Sequence, residues 1–155
     1  MLISFICSIA IIAIDQLTKF LIYGSAPVSV LGDFLWFESS LNTGVAFSMF
    51  EGHSYLFVVL SGIAALVMIW LIISKKIFKS KFEKISLGVI LGGTIANAID
   101  RIAFGGVRDF IYLKFINFAI FNVADMAITI GASLLCLLIV ISIFKKDESK
   151  GTKND

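Results

Sequence analysis

The sequence predicts an integral membrane protein, mainly α-helical, with four transmembrane helices, a small extracytoplasmic β-sheet and structured outer loops. Of its 155 residues, 59% are hydrophobic and only 15% are charged, and the mean hydropathy is +1.00. A soluble globular domain has a more polar balance. A hydrocarbon core about 30 Å thick takes roughly 20 helical residues to cross. Four segments are long and apolar enough, and we expect helices at about residues 2–22, 55–73, 85–104 and 123–144.

The first apolar segment is expected to be a transmembrane helix and not a cleaved signal peptide. No Lys or Arg precedes its apolar stretch, and Asp15 and Lys19 occupy the place of a small-residue cleavage site. Basic residues concentrate in the 74–84 loop and after Phe144, and none occurs between Tyr23 and Ser54. The positive-inside rule therefore places both termini and the 74–84 loop in the cytoplasm.

The net charge, the cysteines and the C-terminal tail indicate no further chemistry. The formal net charge of +2 reflects the membrane orientation and gives no reason to expect a nucleic-acid partner. Cys7 and Cys136 stand inside apolar segments, where they are expected to be packing residues. Residues 145–155 are polar without apolar periodicity and are expected to form a disordered cytoplasmic tail. Residues 1–144 then form a single membrane domain.

Two outer loops are expected to contain short strands. In the first loop, Val28–Phe50, β-favouring runs are separated by Gly32-Asp33 and Thr43-Gly44, which indicates a small antiparallel sheet at the membrane surface. The second loop opens with Gly105-Gly106 and has the composition of short strands or turns. Non-helical backbone at this depth must be covered by protein or line a wet cavity, so both loops should cover the polar residues of the helices.

Polar residues of three predicted helices lie at one level, near the outer membrane face. A charge that faces lipid costs at least a few kcal/mol, so such groups usually face the bundle interior and have partners. Asp15 and Lys19 are four residues apart and can pair, and Asn97 and Arg101 have the same spacing. The residues at this level are Asp15, Lys19, Asn97, Asp100, Arg101, Asn122 and Asp125.

The third predicted helix carries a stripe of small residues. Gly88, Gly92 and Ala96 are spaced four apart and share one helix face. Such a stripe lets a neighbouring helix approach closely. The alternative is that small residues are simply common in membrane helices.

The residue inventory excludes most hydrolytic designs. His53 is the only histidine, and without a nucleophile-elbow pattern nearby it is expected to be a solvated interfacial residue. No HExxH motif occurs and two isolated cysteines cannot form a thiolate zinc site, so no metal is expected. A Ser/Lys dyad would need a neutral Lys19, but Asp15 one turn away favours the charged form. Carboxylate chemistry remains.

Asp109 and Asp125 are the best candidates for a pair of catalytic carboxylates. Two aspartates within hydrogen-bonding reach share one proton, so one can take a proton from water while the other donates one to a substrate carbonyl. A loop of modest length could fold Asp109 back over the start of the fourth helix. Asp100 is the third choice, because its neighbour Arg101 favours a structural ion pair.

Each of these polar residues also has a purely structural interpretation. Asn122 and Asp125 have the spacing of a helix N-cap and an acidic residue at the third helical position. Turns and ion pairs could account for the others. These alternatives assign Asn42 and Asp109 to turns, and Asp15 and Lys19 to an ion pair that orients two helices.

Five motifs occur in order between about Asp15 and Gly131. They are DQLTK (Asp15–Lys19), NTGVAFS (Asn42–Ser48), NAIDR (Asn97–Arg101), GGVRDF (Gly105–Phe110) and FNVAD (Phe121–Asp125). Together they make the chain resemble the lipoprotein signal peptidases, also called type II or prolipoprotein signal peptidases.

The resemblance implies an aspartic peptidase of the bacterial cytoplasmic membrane with its active site near the outer face. Such an enzyme needs no cofactor and removes the signal peptide of a diacylglyceryl-modified prolipoprotein, just before the lipidated cysteine. The catalytic dyad of the family falls on Asp109 and Asp125. The positions that shape the site fall on Asp15, Lys19, Asn42, Gly44, Asn97, Arg101 and Asn122.

Three positions depart from the pattern of this family. Ala96 stands where a glycine often precedes the asparagine, Arg108 where an apolar residue is common, and Met126 where a serine often follows the second aspartate. The dyad is intact, so the departures bear on local packing and substrate preference.

Other functions can also use intramembrane acids. A small transporter or proton-relay protein would spread its acids across the membrane depth, whereas the inner halves of these helices lack them. A metal-dependent lipid-head-group enzyme would lose activity with a chelator. A purely structural protein would tolerate Asp109→Asn and Asp125→Asn. The expected partners are a lipid-modified prolipoprotein and membrane lipids, and an inward polar face would let a monomer work.

Overall fold

The computed structural model describes residues 1–44, 54–74 and 76–151, with side chains up to residue 145. Residues 45–50 of the first outer loop and His53 lie outside the described residues. The described helices and strands are α1 (Leu2–Ile22), β1 (Val28–Leu31), β2 (Leu35–Asn42), α2 (Ser54–Ile73), α3 (Lys81–Phe104), β3 (Val107–Tyr112) and α4 (Val123–Gly151), with a short 3-10 helix at Lys114–Ile116.

The four helices have the length and composition of membrane spans, α4 over Val123–Lys145. Large apolar side chains cover much of their outer surface, including the exposed Phe20, Leu66 and Phe144. Such a surface suits contact with lipid and would be unfavourable in water. The predicted fold class, four apolar helices with a small antiparallel sheet, is confirmed.

Two helix boundaries differ from the prediction by more than one residue. α3 begins at Lys81, four residues before the predicted start at residue 85, because Ser80 caps it. The Ser80 side chain accepts a hydrogen bond from Phe82 N at 3.2 Å, and the Glu83 carboxylate accepts one from Ser80 N at 2.9 Å. α4 continues past the predicted end at residue 144 as far as Gly151, and residues 152–155 of the predicted tail lie outside the described residues. No glycine or proline interrupts residues 132–150.

α3 is the central helix and packs against the other three. The predicted small-residue stripe faces α1: a Cβ added at Gly88 or Gly92 would overlap the backbone of Ser4 or Ser8. Ser8 Oγ donates a hydrogen bond to the Gly88 carbonyl at 2.6 Å, which this close approach permits. On another face of α3, Gly93 lies against the carbonyl of Ala124 in α4.

The three strands form an antiparallel sheet in the order β1-β2-β3. Gly32, with a φ of 55°, lies in the turn between the first two strands. Gly105 ends α3 in the left-handed conformation and leads directly into β3. Asn42 pairs with Val107 across β2 and β3, and Ser40 pairs with Asp109. The sheet therefore places Asn42 and Asp109 on neighbouring strands.

The apolar cluster and the buried charged and amide side chains lie at opposite ends of the bundle. Met68, Ile72, Leu87 and Leu91 form the apolar cluster at the end of α2 and the beginning of α3. The other end, next to the sheet, contains the buried polar residues Asp15, Lys19, Asn97, Asp100, Arg108, Asp109 and Asn122.

Candidate active site

Asp109 is held in β3 by two side-chain amides. Asn122 Nδ2 donates a hydrogen bond to Asp109 Oδ1 at 2.6 Å, and Asn42 Nδ2 donates one to Oδ2 at 3.2 Å. The Asn42 amide is itself oriented, since its Oδ1 accepts a hydrogen bond from Gly44 N at 3.1 Å. The side chain of Asp109 is therefore a fixed, buried carboxyl and not a solvated turn residue; its residue is 2% exposed.

Asp125 lies in the first turn of α4 and takes part in a capping box. Asn122 Oδ1 accepts a hydrogen bond from Asp125 N at 2.9 Å, and Asp125 Oδ2 accepts one from Asn122 N at 3.3 Å. Asp125 Oδ1 accepts a further, shorter hydrogen bond from Asn97 Nδ2 at 2.7 Å. The helix-capping interpretation is thus correct, and it does not exclude catalysis because Asp125 also lines a cavity.

Asn122 connects the two aspartates. It is fully buried and contacts Asp109 through its side chain and Asp125 through its backbone. Burial, and then the negative charge of Asp125, raise the pKa of Asp109 from 3.8 to about 7 against the opposing hydrogen bonds of Asn122 and Asn42. Asp109 can therefore exchange a proton near neutral pH, as one member of a coupled pair should.

Lys19 connects this pair to a network of buried charges. Its Nζ lies 2.8 Å from Asp15 Oδ2 and 3.2 Å from Asp100 Oδ2, and these side chains are fully buried. Lys19 Nζ also donates to Asn97 Oδ1 at 3.1 Å. Because Asn97 donates to Asp125, the ammonium charge acts on Asp125 through one polarised amide. The expected Asp15–Lys19 ion pair is present.

The ion pair of Asp100 has a different partner from the one that the sequence suggests. Arg108 Nη2 lies 2.8 Å from Asp100 Oδ1, whereas the neighbour Arg101 donates to the Gly44 carbonyl at 3.4 Å and lies over the Phe57 ring. Neighbouring residues on a helix point in different directions, so Asp100 and Arg101 cannot readily share a face. Arg101 lines the cavity and is attracted by both Asp125 and Asp109.

Two residues of this network were not predicted as site residues. Gln16 Nε2 donates to Asp100 Oδ1 at 2.9 Å, and Gln16 Oε1 accepts a hydrogen bond from Arg108 Nη2 at 3.0 Å. Both stand inside motifs, Gln16 in DQLTK and Arg108 in GGVRDF, beside residues already singled out. That adjacency is the only signal in the sequence, since these contacts join α1, α3 and β3 and leave no local pattern.

A cavity of about 680 Å³ opens beside the two aspartates. Its polar end is formed by Asn42, Asn97, Arg101, Asp109 and Asp125. Most of the remaining wall is apolar and comes from the chain after β3 and from α4, including Leu113, Ile116, Phe121, Ile128 and Ile130. The carboxyls can therefore act on a polar group at one end of an otherwise apolar ligand.

The structure brings the predicted site residues together. Asp109, Asp125, Asn42, Asn97 and Asn122 are linked by direct hydrogen bonds. Lys19 and Asp15 join them through Asn97, and Gly44 and Arg101 join them through Asn42 and the cavity. Within the described ranges, no three His, Cys, Asp or Glu side chains are grouped as ligands for a metal ion.

Comparison with known proteins gives matches over nearly the whole chain. The profile of a family described as signal peptidase (SPase) II matches residues 7–141. A protein of Shouchella clausii named lipoprotein signal peptidase is 38% identical over 97% of this chain and 99% of its own length. Proteins of the same name from Streptococcus agalactiae serotype Ia and Listeria monocytogenes serotype 4a are 39% and 37% identical over 96% of this chain, and over 96% and 98% of their own lengths.

Solved structures give the same result. A bacterial membrane enzyme determined by the in meso method at 2.3 Å resolution superposes with a TM-score of 0.80 at 28% identity, over 95% of this chain and 90% of that chain. A second bacterial membrane enzyme structure, at 1.9 Å, superposes with a TM-score of 0.77 at 28% identity, over 88% of this chain and 91% of that one. With its profile match, its relatives and its four apolar helices, this chain is a bacterial membrane protein that belongs to the signal peptidase II family.

Proposed function

We propose that this protein is a lipoprotein signal peptidase of the aspartic type. It removes the signal peptide from a diacylglyceryl-modified prolipoprotein and cleaves just before the lipidated cysteine. The observation that carries the proposal is the position of Asn122, which hydrogen-bonds both Asp109 and Asp125 at the polar end of an apolar cavity. Relatives that this chain matches over nearly their whole length are named for this activity.

The two aspartates divide the work of acid and base. Asp109 carries the shared proton at the start, in keeping with a pKa of about 7. Asp125 starts ionised, because it accepts from Asn97, whose amide oxygen faces the Lys19 ammonium. Asp125 takes a proton from water, the hydroxide attacks the scissile carbonyl, and Asp109 protonates the carbonyl oxygen. The gem-diol then collapses: one of its hydroxyls returns a proton to Asp109, the C–N bond breaks, and the leaving amine receives the proton held by Asp125.

The remaining site residues bind substrate or hold the dyad. Asn42 and Asn122 donate to the Asp109 carboxyl, and Asn97 donates to Asp125. Asp15 and Lys19 join α1 to α3 beneath the dyad. Gly44 and Arg101 lie together beside the cavity, where the guanidinium is available to a substrate carbonyl.

Substrate enters sideways from the bilayer. The cavity wall consists of α4 and the segment after β3, both apolar, so it suits a signal helix and acyl chains better than a soluble peptide. The distribution of basic residues supports an orientation with both termini in the cytoplasm and this cavity at the outer face. The exposed apolar surface of the helices contacts membrane lipids, and a polar face turned inward lets the protein act as a monomer.

The transporter or proton-relay alternative is not favoured. Asp15, Asp100 and Asp125 lie together beside the sheet, and the other end of the described bundle contains the apolar cluster. A proton path would need titratable groups at successive depths.

The function is tested with purified protein in detergent and a chelator. A diacylglyceryl-modified prolipoprotein should be cleaved immediately before its lipidated cysteine, and mass spectrometry of the released signal peptide identifies the bond. The same prolipoprotein without the lipid is the control and should be cleaved at least about 10-fold more slowly. Cleavage at another bond, equal cleavage of both substrates, or a requirement for metal would contradict the proposal.

A further inference from the structure

We propose that Arg108 is a positioning residue that holds the Asp109 carboxyl in place through Asp100. The inference rests on the catalytic role proposed for Asp109. Arg108 precedes Asp109 in β3 and is 8% exposed. Successive side chains of a strand point to opposite faces. Asp109 accordingly lines the cavity, whereas Arg108 points to α1 and α3.

Three hydrogen bonds join Arg108 to one carboxylate. Its backbone N donates to Asp100 Oδ2 at 2.9 Å, Nε donates to the same oxygen at 3.3 Å, and Nη2 donates to Oδ1 at 2.8 Å. The guanidinium also donates to Gln16 Oε1 at 3.0 Å and lies over the Phe104 ring, 4.2 Å from its centroid. The Arg108 guanidinium is planar and is held at its edges by hydrogen bonds and on one face by the ring, so it has little freedom to move. Arg108, the residue before Asp109, is therefore fixed to both α1 and α3.

Asp100 belongs to a buried network that also reaches the second aspartate. Lys19 Nζ bridges Asp100 at 3.2 Å and Asp15 at 2.8 Å. Asp15 Oδ1 accepts a hydrogen bond from Ala124 N at 2.8 Å, and Ala124 precedes Asp125. The network therefore ends at the residue before each aspartate and sets the two carboxyls relative to one another.

The network is neutral as a whole, because the acids Asp15 and Asp100 are matched by Lys19 and Arg108. Without the guanidinium, Asp100 would lose two side-chain hydrogen bonds, and the buried network as a whole would carry a net negative charge. β3 would still pair with β2, so we expect the strand to remain while Asp109 shifts. A displacement of about 1 Å at a catalytic group can cost about 10²-fold in rate.

The test compares Arg108→Met and Arg108→Lys with the unmodified protein, using the lipidated prolipoprotein from below to above KM. Lys114→Met is the matched control, because Lys114, in the 3-10 helix after β3, pairs at 3.1 Å with the exposed Asp33 in the turn between β1 and β2. We expect kcat to fall about 10²-fold in Arg108→Met and about 10-fold in Arg108→Lys, with KM changed less than about threefold. Lysine keeps the charge but cannot reproduce the planar fork. In Lys114→Met, kcat should stay within about twofold of the unmodified protein.

Each kcat is divided by the folded fraction, measured by size-exclusion chromatography and thermal unfolding in detergent. A normalised kcat within about twofold of the unmodified protein in Arg108→Met would overturn the proposal, because the residue would then act on stability alone. Should Arg108→Met fail to fold, Arg108→Lys decides: a kcat about 10-fold lower at unchanged KM supports positioning, and an unchanged kcat contradicts it. Asp109→Asn separates the two proposals, since cleavage by that variant would overturn the catalytic role itself.

Discussion

Asn122 satisfies two structural requirements at once. Asn122 caps α4 and also donates to Asp109, so the start of the helix and the geometry of the dyad depend on the same side chain. Burial of Asp109 keeps a proton on a carboxyl that would ionise in water. Because this proton is lost near neutral pH, we expect both the cleavage rate and the stability of the fold to depend on pH.

Cleavage should slow as the pH rises above about 7. Asp109 must be protonated at the start of the proposed reaction, and its pKa of about 7 means that this form is lost above neutrality. We expect kcat/KM to fall about tenfold per pH unit on the alkaline side. A pH–rate profile on the lipidated substrate measures this, with recovery of activity after return to about pH 6.5 as the control for denaturation. A flat profile to about pH 9 would rule out Asp109 as the initial acid.

Asp109→Asn should stabilise the fold at alkaline pH. The pKa of Asp109 is raised from 3.8 to about 7, so its contribution to stability is fully present below about pH 4 and is lost as the pH rises through 7. An asparagine has no charge to desolvate, so the variant should gain roughly 1–3 kcal/mol at about pH 8.5 relative to the unmodified protein. Thermal unfolding in detergent at about pH 4 and about pH 8.5 gives the comparison. If the stabilities of the variant and the unmodified protein differ by the same amount at both pH values, ionisation of Asp109 is not the cause of the difference.

Close packing of α1 on α3 sets the depth of the charged network. Asp15 and Lys19 can meet Asp100 only because Gly88 and Gly92 let the helix backbones touch. The small-residue stripe was predictable from its four-residue spacing, whereas its partner helix was not. Spacing defines a face but does not say which neighbour covers that face.

Gly88→Ala should destabilise the protein because its Cβ would overlap the Ser4 backbone, which cannot move aside as a flexible side chain could. We expect a loss of about 1–3 kcal/mol. Gly62→Ala in α2 is the matched control, since a Cβ there meets nothing within 4 Å, and it should be neutral or slightly stabilising. Chemical or thermal unfolding in a mild detergent compares the two variants. Equal stability of both would show that α1 and α3 are not closely packed at Gly88.

The sequence predicts the apolar spans, but it does not predict strand pairing or the polar start of a helix. Apolar length locates the helices, because lipid imposes it on every span. It does not locate the start of α3, where a polar capping box of Ser80 and Glu83 lies outside the apolar window. Asp100 was expected to pair nearby on its helix, but its partner Arg108 is brought to it by the turn at Gly105 and by the pairing of β3. Such contacts depend on tertiary structure and leave no local pattern.

For the whole molecule, the proposed orientation predicts which residues reach the outside of the cell. A cysteine introduced at the exposed Asp33, in a background with Cys7 and Cys136 replaced by alanine, should react with a membrane-impermeant maleimide in intact cells. A cysteine at Lys76 should react only after the membrane is opened. The opposite labelling pattern would invert the topology and place the cavity on the cytoplasmic side.

In the proposed mechanism, Asp109 and Asp125 act together on the scissile bond. The most direct test is single-turnover cleavage of lipidated prolipoprotein by Asp109→Asn, Asp125→Asn and the control Asp33→Asn, whose carboxylate is exposed and pairs only with Lys114 among the described residues. We predict that each dyad variant, folded and binding substrate, loses at least about 10²- to 10⁴-fold in rate, while Asp33→Asn keeps the normal rate. A folded Asp109→Asn or Asp125→Asn protein that cleaves at the normal rate would show that the two carboxyls are not a catalytic pair.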